Sequence, residues 1–204
     1  MHIGIDFDNT IVSYDALFLK VAREQDLVPP GTASSKLAVR DHLRRAGQED
    51  RWTEMQGYVY GARMDEALAF EGVIGFLHRA ADSGHQVTIV SHKTRHPFIG
   101  PQYDLHAAAR GWIERHLRWD GRALLASDRV FFELTKEEKL ARISACGCEV
   151  FIDDLPEILL AAGFPADTSK LLFDPEDHHE EIGLGLDRVL RFRSWRQIEQ
   201  HFRP

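Results

Sequence analysis

Five short apolar runs punctuate the chain, at residues 2–6 (HIGID), 86–90 (QVTIV), 149–153 (EVFID), 170–174 (KLLFD) and 188–192 (RVLRF). They are rich in Ile, Val, Leu and Phe and bounded by Gly, Asp, Pro or Ser, as strands are. Between them the apolar positions recur with helical spacing. In GVIGFLHRAADSG, Val73, Phe76, Leu77 and Ala80 fall on one face, and Gly84 stops the turn. TKEEKLARISACG opens with Thr135 and Glu138 in the spacing of a capping box and ends at Gly147. A last helix is expected from Ser194, with Gln197 three residues on, through SWRQIEQHF. Strands alternating with helices predict an α/β fold: a Rossmann-like parallel sheet, flanked by helices and joined by right-handed crossovers.

The first crossover is too long for that scheme. About eighty residues separate HIGID from QVTIV, where a strand–helix–strand unit takes about thirty. Residues 14–68 read as helices throughout (YDALFLKVAREQ, SKLAVRDHLRRAG, EDRWTEMQGYVYGARMDEAL), broken at Pro29-Pro30-Gly31 and at Gly47. The expected organisation is therefore a core of residues 1–13 and 69–204 with a small α-helical cap inserted at 14–68. An insertion that follows the first strand is well placed to act as a lid.

Composition narrows the function. The 204 residues are 44% hydrophobic and 28% charged, enough for a sizeable core in one domain with a modest insertion. A net charge of −7 argues against a nucleic-acid polymer as partner, but not against a small phosphorylated molecule met by local cations or a metal. Cys146 and Cys148 lie two apart and read as reduced, small apolar residues, which suits a cytoplasmic protein. The first strand has no basic leader before it, and no apolar stretch approaches the ~20 residues that span a bilayer. No membrane is expected as a partner.

Sites in open α/β sheets form at the carboxyl ends of the strands. After the first run come Asp6, Asp8 and Thr10; after the second, Ser91, His92 and Lys93; at the third, Asp153 and Asp154. The helix before the third run brings Lys136 and Lys139. One acidic strand end is ordinarily a capped turn. Four carboxylates on one edge repel unless a cation sits among them, and Mg²⁺, a hard cation that takes carboxylate and carbonyl oxygens, is the natural candidate.

DFDNT at 6–10, Ser91 ending a strand, a downstream lysine and Asp153-Asp154 resemble, in order and spacing, the four motifs of the haloacid dehalogenase-like hydrolase superfamily. The insertion resembles the small helical cap of many members. The resemblance implies a Mg²⁺-dependent phosphatase acting on a small phosphorylated metabolite. Asp6 would be the nucleophile that forms an aspartyl-phosphate. Asp8 would serve as general acid and then base, and lend its backbone carbonyl to the metal. A carboxylate suits the first role because it is already ionised at neutral pH. The implied metal set is Asp6, Asp8, Asp153 and Asp154, with Asp154 preferred over Asp153 as the direct ligand. Ser91, His92 and a lysine would bind the phosphate. Lys139 is preferred to Lys136 for its shorter approach to the 153–154 strand end. Glu157 reads as a carboxylate complementing its helix dipole, with a share in positioning the lysine as the alternative.

Weaker signals are divided. His92, Lys93, Arg95 and His96 make residues 91–104 a basic loop, either greeting the substrate or simply solvated; Thr94 is a lesser phosphate candidate. Tyr58, Tyr60 and Arg63 are read as cap core before substrate contacts, Arg40, Arg44 and Arg45 as a solvated face, and DPEDHHEE (174–181) as an acidic loop before a metal site. A dehalogenase would leave Asp8 and the 153–154 pair idle. A phosphonate hydrolase is disfavoured because related ones lack the second aspartate. A phosphomutase keeps both aspartates and stays open. A non-catalytic phospho-ligand or protein-binding module is the reading from another class.

Overall fold

The computed structural model describes residues 1–180 and 188–202. In chain order the strands are β1 (His2–Ile5), β2 (Val12–Ser13), β3 (Leu68–Ala69), β4 (Gln86–His92), β5 (Arg118–Trp119), β6 (Arg122–Ala123), β7 (Val130–Glu133), β8 (Val150–Asp153), β9 (Ser169–Phe173) and β10 (Val189–Phe192). The helices are α1 (Asp15–Glu24), α2 (Lys36–Arg45), α3 (Glu49–Tyr60), α4 (Val73–Asp82), α5 (Leu105–His116), α6 (Lys136–Ala145), α7 (Pro156–Leu159) and α8 (Trp195–His201). The chain divides into two compact units, one of Met1–Ile11, Ala69–His92 and Leu117–Pro204, the other of Val12–Leu68 and Lys93–His116.

The first unit is built on a six-stranded parallel sheet in the order β10-β9-β8-β1-β4-β7, flanked by helices. All five apolar runs are strands of this sheet. Its register decides what lies where. Gly4 is level with Phe151 and Thr88, and Ile5 with Ile152 and Ile89. Successive side chains point to opposite faces, so Gly4, Val90, Phe151 and Leu172 share one face. There they form a core with Ile143 of α6, Cys148, Leu159 and Phe164. Phe173 of β9 belongs to the other face, where Trp195 of α8 lies against it and against Phe76 of α4.

The second unit contains α1, α2 and α3 at the places the helical pattern predicts. The third helix stops at Tyr60, with Gly61 as its cap, and a 3₁₀ turn over Met64–Glu66 carries the chain on to β3, which pairs with β2. Phe18, Trp52, Tyr14 and Tyr60 form its aromatic centre, with the Tyr14 and Tyr60 rings 4.8 Å apart, edge to face.

Among the elements that go beyond the sequence reading, strand β7, helix α5 and the β5–β6 hairpin stand out. Strand β7 extends the sheet at its edge; it is only four residues long, with three apolar residues in a row, and alternates buried and half-buried positions. Helix α5 buries Leu105, Ala109, Trp112 and Ile113, an i, i+4, i+7, i+8 stripe, and with the preceding loop it belongs to the second unit. The β5–β6 hairpin turns at Asp120-Gly121, both with positive φ, the pattern of a tight two-residue turn.

Gly4 marks where the core tolerates no added atom. A Cβ there would stand 2.5 Å from Phe151 Cδ2 and 2.8 Å from Cys148 Sγ. Gly4→Ala is therefore expected to destabilise the protein by about 1–3 kcal/mol through overpacking. That is a fall in Tm of roughly 2–4 °C per kcal/mol for a chain of this size. A Tm equal to wild type by thermal denaturation would contradict this packing.

Candidate active site

The end of β1 runs into a tight turn. Asp6 N–H continues the ladder by donating to Ile152 O at 2.9 Å, and Ile11 N–H closes the turn on Phe7 O at 3.1 Å. Asn9 takes a left-handed conformation, φ 58°, which asparagine tolerates better than most residues. Between the two aspartates Phe7 is buried edge-on against Phe132, with centroids 5.7 Å apart. The apolar residue anchors the turn. Asp6, before it in the chain, is buried, and Asp8, after it, is half-buried.

The register that sets Ile5 beside Ile152 puts Asp6 beside Asp153 on the next step, on the face that α6 covers. From α6 comes Lys139, one turn in from an N-terminus fixed by a capping box between Thr135 and Glu138. Its side chain is 1% exposed and that of Asp153 0%. Lys139 Nζ donates to Asp6 Oδ1 at 2.7 Å and to Asp153 Oδ2 at 2.6 Å, and lies 5.5 Å from the centre of the Phe151 ring. Asp153 Oδ1 accepts from Leu155 N–H at 3.0 Å, and Asp154 Oδ1 from the Thr10 hydroxyl at 3.3 Å.

Burial pushes the Asp6 carboxyl up to about 6, with the Lys139 ammonium holding it back and the charges of Asp153 and Asp8 pushing it further. For Lys139 burial acts to lower the pKa, but the charges of Asp153 and Asp6 outweigh it and hold the ammonium above its ordinary range. Carboxylate oxygens of Asp6, Asp153 and Asp154 come within 4.8 Å of one another. Three carboxylates against one ammonium leave the pocket net negative. An all-oxygen donor set of this kind fits a hard divalent cation such as Mg²⁺. The Asp8 carboxylate lies outside this set of three.

Of the other expected site residues, Ser91 is buried near the end of β4, one step past the level of Asp6. His92 Nε2 lies 3.0 Å from the Leu134 carbonyl oxygen. Lys139, not Lys136, reaches the carboxylates; Lys136 is exposed and pairs with Glu157 at 2.6 Å, so Glu157 engages the other lysine. In the preferred order of metal ligands, Asp153 has one oxygen on Lys139 and the other on Leu155 N–H, while Asp154 bears the Thr10 contact.

The weaker candidates are engaged locally. Arg95 pairs with Asp104 at 3.1 Å and His96 Nδ1 meets Tyr103 O at 3.1 Å, both holding the loop. Lys93 is buried with its ammonium 4.6 Å from the Tyr60 ring centre. Arg63 pairs with Glu24 at 2.6 Å and with Glu66, and lies over Tyr58. Arg44 pairs with Glu49 on the surface. His178 pairs with Glu176 at 3.2 Å, and the His178 and His179 N–H groups cap Asp174; Glu181, the end of that acidic stretch, lies outside the described residues.

Removing Lys139 would leave two buried carboxylates uncompensated. Lys139→Met is expected to lower stability by about 3–5 kcal/mol, the usual consequence of breaking a buried pair from one side. Saturating Mg²⁺ should restore part of the loss, read as a Tm shift larger than that of wild type. Equal Tm values for variant and wild type without Mg²⁺ would refute the charge balance described here.

No family model matches the chain, and no curated protein does. Solved structures do. A haloacid dehalogenase-like (HAD) hydrolase, family IA, from Entamoeba histolytica is 11% identical with a TM-score of 0.55, over 96% of this chain and 94% of that one. An L-2-haloacid dehalogenase is 13% identical, TM-score 0.54, over 98% and 97%. A phosphoserine phosphohydrolase-like protein from Francisella tularensis is 15% identical, TM-score 0.50, over 99% of each chain. At such identities the likeness is one of architecture, and on it the chain has the haloacid dehalogenase-like α/β fold.

Proposed function

We propose that the protein is a Mg²⁺-dependent phosphatase that hydrolyses a small phosphomonoester through an aspartyl-phosphate on Asp6. The observation that carries the reading is the convergence of Asp6, Asp153 and Asp154, with Lys139 between the first two. A sugar phosphate or a nucleoside monophosphate is the substrate class.

Asp6 attacks phosphorus and the bond to the leaving oxygen breaks. Asp8, two residues on in the same turn, gives its proton to that oxygen. In the second half-reaction Asp8 takes a proton from water, which attacks phosphorus and releases Asp6 and inorganic phosphate. Lys139 fixes the plane of the Asp6 carboxylate and offsets part of the charge that would repel a phosphate dianion. Mg²⁺ held by Asp6, Asp153 and Asp154 would supply Lewis-acid stabilisation of the phosphoryl oxygens. Ser91 adds a hydroxyl donor to the phosphate.

The dehalogenase reading is disfavoured by the same residues. Displacement of halide asks for a nucleophilic carboxylate but neither a proton donor nor a cation site, so it leaves Asp8 and Asp154 without work.

Phosphate release from p-nitrophenyl phosphate is the test. Activity is expected with Mg²⁺, none with EDTA, and a loss of roughly three orders of magnitude or more in Asp6→Asn. A screen of phosphorylated metabolites then identifies the leaving group. Folded protein that binds Mg²⁺ but turns over no phosphomonoester would point instead to a mutase or a binding module.

A further inference from the structure

The turn that carries Asp6 and Asp8 is tied from behind by a residue near the other end of the chain. Trp195, the first residue of α8, is buried, and its Nε1–H donates to the Thr10 carbonyl oxygen at 3.0 Å. Its ring is wedged between Phe76 and Phe173, at centroid distances of 5.0 and 5.6 Å. Gly72, φ +89°, leaves room for it: a Cβ there would come within 3.3 Å of Trp195 Cβ. The start of α8 is itself fixed, since Ser194 Oγ accepts from Gln197 N–H at 3.3 Å and Gln197 Oε1 from Arg193 N–H at 2.7 Å. The indole is thus locked at both its ring and its backbone.

Thr10 is fully buried and faces two ways. Its carbonyl receives the Trp195 bond, while its hydroxyl donates to Asp154 Oδ1. Threonine is stiff at χ1, so the orientation of its peptide dictates where the hydroxyl points. A hydrogen bond that fixes the Thr10 peptide is therefore transmitted to Asp154. We propose that Trp195 is a positioning residue for the cation site, acting through the Thr10 backbone and hydroxyl to hold the Asp154 carboxylate toward Asp6 and Asp153. This rests on the reading of those three carboxylates as a Mg²⁺ site. A purely structural Trp195 would need only its ring, which phenylalanine also supplies.

The experiment is Mg²⁺ titration of the full chain by isothermal calorimetry, with circular dichroism and Tm recorded for each variant. Trp195→Phe keeps an aromatic ring against Phe76 and Phe173 and removes the N–H. Its Kd for Mg²⁺ is expected to rise about three- to tenfold, somewhat less than the 10–100-fold typical of direct partners of metal ligands. Thr10→Val, which removes the hydroxyl, should weaken binding at least as much, and Thr10→Ser should return the Kd close to wild type. Because Trp195 acts through Thr10, the double variant Thr10→Val/Trp195→Phe should match Thr10→Val within about twofold. A wild-type Kd in folded Trp195→Phe, or losses that multiply in the double variant, would overturn the positioning role and leave the cation site standing. Should Trp195→Phe fail to fold, a wild-type Kd in Thr10→Val overturns the route. Absence of Mg²⁺ binding by the wild-type chain would remove the cation site and this inference together.

Discussion

Everything at the carboxyl edge of the sheet depends on one buried ammonium group. Lys139 Nζ sits between Asp6 and Asp153 with essentially no access to water. None of the three charges would be tolerated alone in that place, since desolvating an ion costs several kcal/mol even after relaxation. Together they satisfy one another, and no buried side-chain nitrogen or oxygen among the described residues is left without a partner. The balance is incomplete by design of the sequence: one positive charge faces three converging carboxylates, with Asp8 close by in the chain. A pocket built this way is paired enough to fold and keeps a net negative charge at the carboxylate cluster.

The geometry follows from ordinary strand and helix rules. Parallel pairing of β1 with β8 sets Asp6 and Asp153 level, and the two-residue period puts them on one face. The same face is roofed by α6, whose capping box fixes its first turn and so the height at which Lys139 descends. Lys136 and Lys139 are one turn apart on the same helix, yet one is exposed and the other buried. Phe7, the large apolar residue between the two aspartates of the turn, packs its ring into the core against Phe132 and holds the turn down.

Much of this was legible in the sequence, for physical reasons. Strands buried on both faces have no choice but to be apolar along their whole length, and HIGID, QVTIV, EVFID and KLLFD announce themselves. The capping box at Thr135 was equally plain, because its hydrogen bonds are local. What escaped was either marginal or non-local. Strand β7 is short and only partly buried, so VFFE gives a weak signal. The stripe of α5 is present in Leu105, Ala109, Trp112 and Ile113, but it follows directly on a loop dense in Pro, Gly and His that blurs its start. Residue types and spacing pointed to Asp6, Asp153, Asp154 and Lys139, which the fold brings together. They could not give the choice of Lys136 as the partner of Glu157, nor the bond from His92 to the Leu134 carbonyl, which depend on side-chain reach across the fold.

Trp195 is the clearest case of information that spacing cannot hold. Nothing in SWRQIEQHF connects it to DFDNT, 185 residues away, and as a sequence feature it is only an apolar position on a short helix. Its indole N–H matters because the Thr10 carbonyl it meets is buried, and a buried carbonyl without a donor is costly. The same reasoning bears on how one fold hosts different reactions. The solved structures that this chain resembles include dehalogenases and phosphohydrolase-like proteins, so the sheet and its crossovers do not select the chemistry. Selection falls to the few residues that surround Asp6. Halide displacement asks only that a carboxylate be held in place, which Lys139 alone would achieve for Asp6. Asp8, Asp154 and the Thr10–Trp195 support add negative charge, and hydrogen bonds to orient it, beyond that need. On the proposed phosphatase reading, that excess is what a cation and a phosphoryl group held together would call for.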